Sequence, residues 1–131
     1  MSIRISWYNR TKTVILWERF DRSSWEEFHN TQDQLFKMLD TVSHKVDVIS
    51  VSYDPMFPAN AIPNLKRVID RVHPNEGYKV LVNTSGFIRH LFEIVGKLNY
   101  KKSRQWYFTD TIEEAEALLA KLRNHPMEGG V

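Results

Sequence analysis

Apolar and polar residues follow one another along the chain with two different periods, which divide it into predicted strands and helices. Residues 3–8 and 13–20 show the alternation and the β-branched content of strands, and the polar residues 9–12 between them predict the turn of a β-hairpin. The first strand has one polar face and is expected at an edge of a sheet. The second has a fuller apolar run and is expected nearer the centre.

Residues 46–53 form the segment around which the rest of the fold is predicted. They are apolar and β-branched in character on both faces, and Asp54 and Pro55 end the segment. Strands of this kind are buried between two layers, because helices pack above and below the sheet. The segment therefore predicts a layered α/β domain.

Four other segments repeat apolar residues every three or four positions, which is typical of amphipathic helices. Ser24 with Glu27, and Thr111 with Glu114, have the spacing of a capping box, in which the hydroxyl accepts from the glutamate amide and the carboxylate reaches back to the cap. The short apolar segments 79–82 and 104–108 predict two further strands, and residues 75–77 predict a turn.

The sum is a single α/β domain over residues 1–124 with the order β-β-α-β-α-β-α-β-α, followed by a flexible tail, 125–131. It predicts a mixed, mainly parallel five-stranded sheet with four helices, in which the first strand is antiparallel. Ligands of such sheets bind outside the carboxyl ends of the strands. This edge is predicted to gather the loops 54–60, 83–86 and 109–111.

The composition excludes some classes of function but does not identify the function. A length of 131 residues fits one domain, and the absence of cysteine excludes disulfides, thiolate catalysis and cysteine-ligated metals. A net charge of +2 does not require an acidic partner. The chain has no apolar run of membrane-spanning length and its start lacks the apolar region of a secretory signal, so a cytoplasmic location without a membrane span is expected.

The pattern KVLVNTSGFIRHLFEIVGKLNY followed by RQWYFTDTIEEAEALLAKL, together with the order of elements, resembles the STAS fold and more narrowly the SpoIIAA-like proteins of the STAS/SEC14 group. The resemblance implies a non-enzymatic module that binds a protein partner or a small ligand. In anti-sigma-factor antagonists of this family, a Ser or Thr after the central strand is switched by phosphorylation. The corresponding loop here, DPMFPANAIPN, has neither residue, which argues against that switch.

Side chains near the predicted carboxyl edge are the candidates for binding a small apolar or anionic ligand. Relatives of the SEC14 type suggest an apolar pocket, for which Met56, Phe57, Ile62 and Phe87 are candidate lining residues, while hydroxyls and amides of residues 83–86 precede a helix and can hold an anion. The ligand-binding residues predicted in this way are Asp54, Met56, Phe57, Asn60, Asn83, Thr84, Ser85 and Phe87.

Other kinds of chemistry find less support in the residues. A small hydrolase or transferase that uses Asp54 with Thr84 or Ser85 is the alternative, and an exposed apolar surface that makes a homodimer is a third possibility. The five histidines lack metal-ligand spacing, and neither a metal nor a cofactor is predicted. Nucleic-acid binding is not expected either, because Trp106 and Tyr107 lie on opposite faces of a strand.

Overall fold

A computed structural model of the protein describes residues 2–21, 23–54, 58–84, 86–98 and 106–124, without the side chains of residues 87 and 95–98. These residues form five strands and four helices in the order predicted. The strands are β1 (Ile3–Trp7), β2 (Val14–Arg19), β3 (Val46–Ser52), β4 (Glu76–Val82) and β5 (Trp106–Thr109). The helices are α1 (Trp25–Leu39), α2 (Ala61–Asp70), α3 (Gly86–Leu98) and α4 (Ile112–Asn124). The tail predicted for residues 125–131 lies outside the described residues.

The five strands make one sheet in the order β1-β2-β3-β4-β5. β1 is antiparallel to β2 and lies at an edge, whereas β2 to β5 are parallel to one another. This confirms the predicted mixed sheet and the edge position of the first strand. Because four consecutive strands are parallel, their carboxyl ends lie along one edge of the sheet, as the sequence predicts.

The helices cover the two faces of the sheet unequally. On one face, α1 packs over β1, β2 and β3 through residues such as Phe28 and Leu35. Helices α2 and α3 continue this layer over Leu81 in β4. On the other face, α4 packs its buried Ala115 and Leu119 against β3 and β4. Strand β3 is thus covered on both sides, which confirms the layered α/β fold.

The two predicted capping boxes differ in the structure. At α4, the Glu114 amide donates to the Thr111 hydroxyl, and the Thr111 amide donates to the Glu114 carboxylate, which is the predicted reciprocal pair. At α1, the Glu27 amide donates to the Ser24 hydroxyl at 3.1 Å, but the Glu27 carboxylate accepts instead from Ser2 and from the Ile3 amide. The second half of this prediction is wrong because β1 lies close enough to offer better donors.

The Glu27 carboxylate links the start of β1 to α1 in a pH-dependent way. The Ser2 hydroxyl, and then the backbone amides of Ser2 and Ile3, lower the pKa of Glu27 from its ordinary value although partial burial opposes them. The stabilisation is complete above the pKa of the unfolded chain, about 4.3, and is lost as pH falls through the lower folded value. We expect Glu27→Gln to cost about 1 kcal/mol of unfolding free energy at pH 7 and much less near pH 3, measured by urea denaturation.

Glu26→Gln is the control for that experiment, since Glu26 is exposed in the same helical turn. It is expected to change the unfolding free energy little at either pH. An equal loss for Glu27→Gln at pH 7 and at pH 3 would contradict the role assigned to the charged carboxylate.

Strand β4 begins three residues earlier than predicted. Residues 75–77, predicted as a turn, include Glu76 and Gly77, which belong to β4, and Glu76 pairs with Val46 of β3. The physical reason is the buried Asp47, whose carboxylate accepts from the Tyr78 amide at 2.8 Å and so fixes the start of β4 beside β3.

None of the helices in the described part of the chain has the length and apolar content needed to cross a bilayer.

Candidate functional site

A cavity of about 90 Å³ lies between the sheet and the layer formed by α1, α2 and α3. One buried water needs only about 10–15 Å³ of such space, so the cavity admits a molecule of several heavy atoms. The walls are mainly apolar and include five large aromatic side chains. The aromatic lining residues are Trp17, Trp25, Phe28, Phe92 and Trp106.

The cavity exists because β3 presents small side chains toward the helices. Ser50 and Ser52 point to the same face as Val48 and line the cavity, and Ser50 lies beside Trp17 in β2 and Leu81 in β4. Close packing would require a bulkier residue at these positions. On the helical side, Trp25 is fixed by a hydrogen bond from its indole Nε1 to the Ala59 carbonyl, 2.7 Å long.

One end of the cavity reaches the carboxyl edge of the sheet, where Arg19 is buried. Its guanidinium donates to the Ser52 hydroxyl at 2.8 Å and to the Asp54 carbonyl, and it lies 5.6 Å from the centre of the Phe28 ring. Burial lowers the pKa of Arg19 from its ordinary value, and the Asp54 carboxylate partly offsets that effect. Arg19 therefore ties the end of β2 to the loop after β3 while it lines the cavity.

The other end of the cavity contains a buried ion pair between Glu76 and Lys79. The two residues are 4% and 5% exposed, and Lys79 Nζ lies 3.2 Å from Glu76 Oε2. Nζ also lies 5.4 Å from the centre of the Trp106 ring. The arrangement places a cation, an anion and an indole together inside an otherwise apolar space.

A register shift brings these two charged side chains to one face. Residues three apart in a regular strand point to opposite faces. Here Val46 pairs with Glu76 and Val48 pairs with Lys79, so β4 has one residue more than β3 between the two pairs. This irregularity has the form of a β-bulge, which re-aims side chains, and both charged residues line the cavity.

The residues predicted as a ligand site fall into three groups. Asp54, Asn83 and Thr84 lie at the carboxyl edge, where the Asn83 side chain donates to the Ser52 carbonyl at 3.1 Å and Thr84 lines the cavity. Asn60 precedes α2 and has a left-handed backbone conformation, with φ 64°. Met56, Phe57, Ser85 and the side chain of Phe87 lie outside the described residues.

Sequence reasoning missed the residues that make the polar ends of the cavity, Arg19, Glu76 and Lys79. A signal was present for Lys79, since it is the one charged residue of the short apolar strand predicted at 79–82, and a lysine that is buried is usually paired. Nothing local to the sequence indicates that Glu76 is this partner, because a three-residue spacing in a strand argues against it. The bulge that joins them depends on pairing with β3.

The described residues show little of the chemistry expected for a catalytic centre. Among them, no three His, Asp or Glu residues are grouped so as to hold a metal ion. The Thr84 hydroxyl accepts from Arg89 Nε at 3.3 Å, and Arg89 in turn pairs with Asp110 at 3.1 Å. A guanidinium is a donor that cannot act as a base toward this hydroxyl. The alternative of a hydrolase or transferase stays a prediction.

Comparisons with known proteins do not identify a function for this site. Neither a scan against models of protein families nor a search of curated proteins found a match for this sequence. The resemblance to STAS and SpoIIAA-like proteins therefore stays a prediction.

Proposed function

We propose that this chain is a non-enzymatic, STAS/SpoIIAA-like binding module that holds a small, largely apolar ligand between its sheet and the helices α1 to α3. The observation that carries the proposal is the cavity, with aromatic walls and a few polar groups at its two ends. Small-molecule sites have this composition, because apolar area supplies affinity and a few polar groups fix orientation.

The apolar lining supports the same proposal. Removal of apolar surface from water is favourable, roughly in proportion to the area buried. Here Ser50 and Ser52 leave space beside Trp17 in the centre of the sheet. An apolar ligand in this space removes the lining and its own surface from water together, and that gain contributes to its affinity.

The position of the cavity between three helices also allows a bound ligand to regulate the protein. Its lining includes Gln32 and Leu35 of α1, Leu65 and Val68 of α2, and Ile88 of α3. A ligand that contacts three helices at once favours one arrangement of them over others, in proportion to its difference in affinity for each. Through that shift, occupancy would change the surface offered to a protein partner.

Xenon is the probe for the cavity itself, since it enters apolar cavities without specific polar contacts. We expect pressurised xenon to shift the backbone amide resonances of Ser50, Leu81 and their neighbours in ¹H–¹⁵N spectra. Ser50→Ile should abolish these shifts, because the larger side chain, which suits a strand, occupies the space.

Ser6→Ile is the matched control. Ser6 lies in β1 opposite Leu16, on the face of the sheet away from the cavity. It is expected to keep the response to xenon. If xenon shifts Ser50→Ile as much as the wild type, or shifts no amide near the cavity in the wild type, the proposed function is wrong.

A further inference from the structure

We call the end of the cavity that contains Glu76 and Lys79 its inner end. The ion pair there has more hydrogen-bond donors than carboxylate oxygens. Glu76 uses both carboxylate oxygens, since Oε1 accepts from the His73 amide at 2.8 Å and Oε2 faces Lys79 Nζ at 3.2 Å. A lysine ammonium has three N–H donors. Among the described residues, Lys79 Nζ contacts one carboxylate oxygen of Glu76 and the face of the Trp106 ring.

Trp106, whose ring lies beside Lys79 and lines the cavity, carries a second donor. Its indole Nε1 is buried and has no hydrogen-bond partner among the described residues. Buried donors without partners are rare in folded proteins, and a bound water or ligand is one explanation for them. The groups in need of partners at this end are therefore donors, one of them on a cation.

We infer that the inner end of the cavity recognises a carboxylate, and that the ligand is a small monocarboxylic acid whose apolar body lies against the aromatic walls. The carboxylate oxygens accept from Lys79 Nζ and from Trp106 Nε1, which supplies the acceptors that these donors lack. The inference rests on the proposed function, because it names the class of ligand that the same cavity binds.

Charge favours a monocarboxylate over other anions and over amines. Any anion at this end shares the Lys79 cation with the Glu76 carboxylate, so a monocarboxylate adds one negative charge there, whereas a dianion such as phosphate adds two at a greater cost in lost hydration. An ammonium ligand would meet the Lys79 cation directly. A neutral amide offers an acceptor, but its hydrogen bond lacks the assistance of charge.

Three compounds of equal length test the inference on the wild-type protein. Pentanoate, pentanamide and pentylamine differ only in the polar group, and at pH 7 they are anionic, neutral and cationic. We expect pentanoate to bind roughly tenfold or more tightly than pentanamide, and pentylamine to give no detectable binding, measured by titration of the ¹H–¹⁵N spectrum. The largest shifts are expected at Lys79 and Trp106, including the indole N–H of Trp106.

A double variant tests the assigned groups. Lys79→Met with Glu76→Gln removes both charges while it keeps similar volume, and it is expected to lose the preference for pentanoate over pentanamide. Lys66→Met with Asp70→Asn is the matched control, since it removes an ion pair of 2.7 Å from α2, away from the cavity lining. This control should keep the preference.

The outcomes separate the inference from the proposed function. If xenon enters the wild-type cavity but pentanoate binds no more tightly than pentanamide, the inference is wrong and the proposed function stands. If xenon and all three compounds fail to shift the cavity amides, both are wrong. Because the ligand comparison uses the wild type, poor folding of the double variant would not protect the inference from refutation.

Discussion

Gly77→Ala is expected to lower the free energy of unfolding by about 3 kcal/mol or more, since it displaces a buried, paired carboxylate. A Cβ atom at this position would overlap Oδ1 of Asp47 and lie 3.3 Å from the Val46 carbonyl oxygen. Asp47 cannot move aside without loss, because it accepts from the Tyr78 amide and forms an ion pair with Arg123. Chemical denaturation monitored by circular dichroism measures the effect.

Gly86→Ala is the control, because a Cβ added to Gly86 meets no atom within 4 Å. It is expected to leave the stability nearly unchanged or to raise it slightly, since alanine favours the helical conformation of α3. A double variant, Gly77→Ala with Asp47→Ala, should lose less than the sum of the two single variants, because the alanine Cβ no longer meets a carboxylate. Strict additivity, or a neutral Gly77→Ala, would contradict the contact.

Lys79→Met is expected to destabilise the fold by about 3–5 kcal/mol, because it leaves the Glu76 carboxylate buried without its cation. Glu76 is 4% exposed, and among the residues that the structure describes the His73 amide alone would remain as its partner. Adding Glu76→Gln should recover most of the loss. The neutral amide can still accept from the His73 amide, and no charge is then buried.

The measurement is the free energy of unfolding in urea for the wild type, Lys79→Met, and Lys79→Met with Glu76→Gln. Lys66→Met is the control, because the side chains of Lys66 and Asp70 are 43% and 34% exposed, far more than those of Lys79 and Glu76, and ion pairs in contact with solvent contribute about 0–1 kcal/mol. A loss for Lys79→Met no larger than that for Lys66→Met would show that the Glu76 carboxylate is not held as a buried charge.

These two effects concern opposite sides of the same stretch of β4. Gly77 permits β4 to approach Asp47 on the face covered by α4, and the register shift next to it turns Glu76 and Lys79 toward the cavity. The bulge thus serves the packing of one face and the polar end of the site on the other. A substitution that removes the irregularity would affect both the stability and the proposed ligand preference.

The element order was accessible from the sequence because it depends on local patterns. The doubly apolar segment 46–53 predicts a covered strand, and β3 is covered by helices on both faces. Thr111 and Glu114 predict the start of α4, since both partners of that capping box lie within one helical turn. Parallel pairing then places residues 54, 83 and 109 at one edge, as expected.

Where residues distant in sequence compete for a partner, local patterns were not enough. Glu27 matches a capping box, but its carboxylate binds Ser2 and Ile3, which reach it only once β1 is in the sheet. Residues 76 and 77 of the predicted turn are part of β4, because Asp47, 31 residues before Tyr78, accepts from the Tyr78 amide.

The sequence by itself determined the fold class, the order of strands and helices and the edge at which the parallel strands end, because hydrophobic period and capping residues act over a few positions. Only the tertiary structure decided that Glu76 and Lys79 meet, and that a cavity remains beside Ser50. Both depend on the register between β3 and β4 and on the volume left between two layers. Those quantities are set by side chains that meet only when the whole domain is packed.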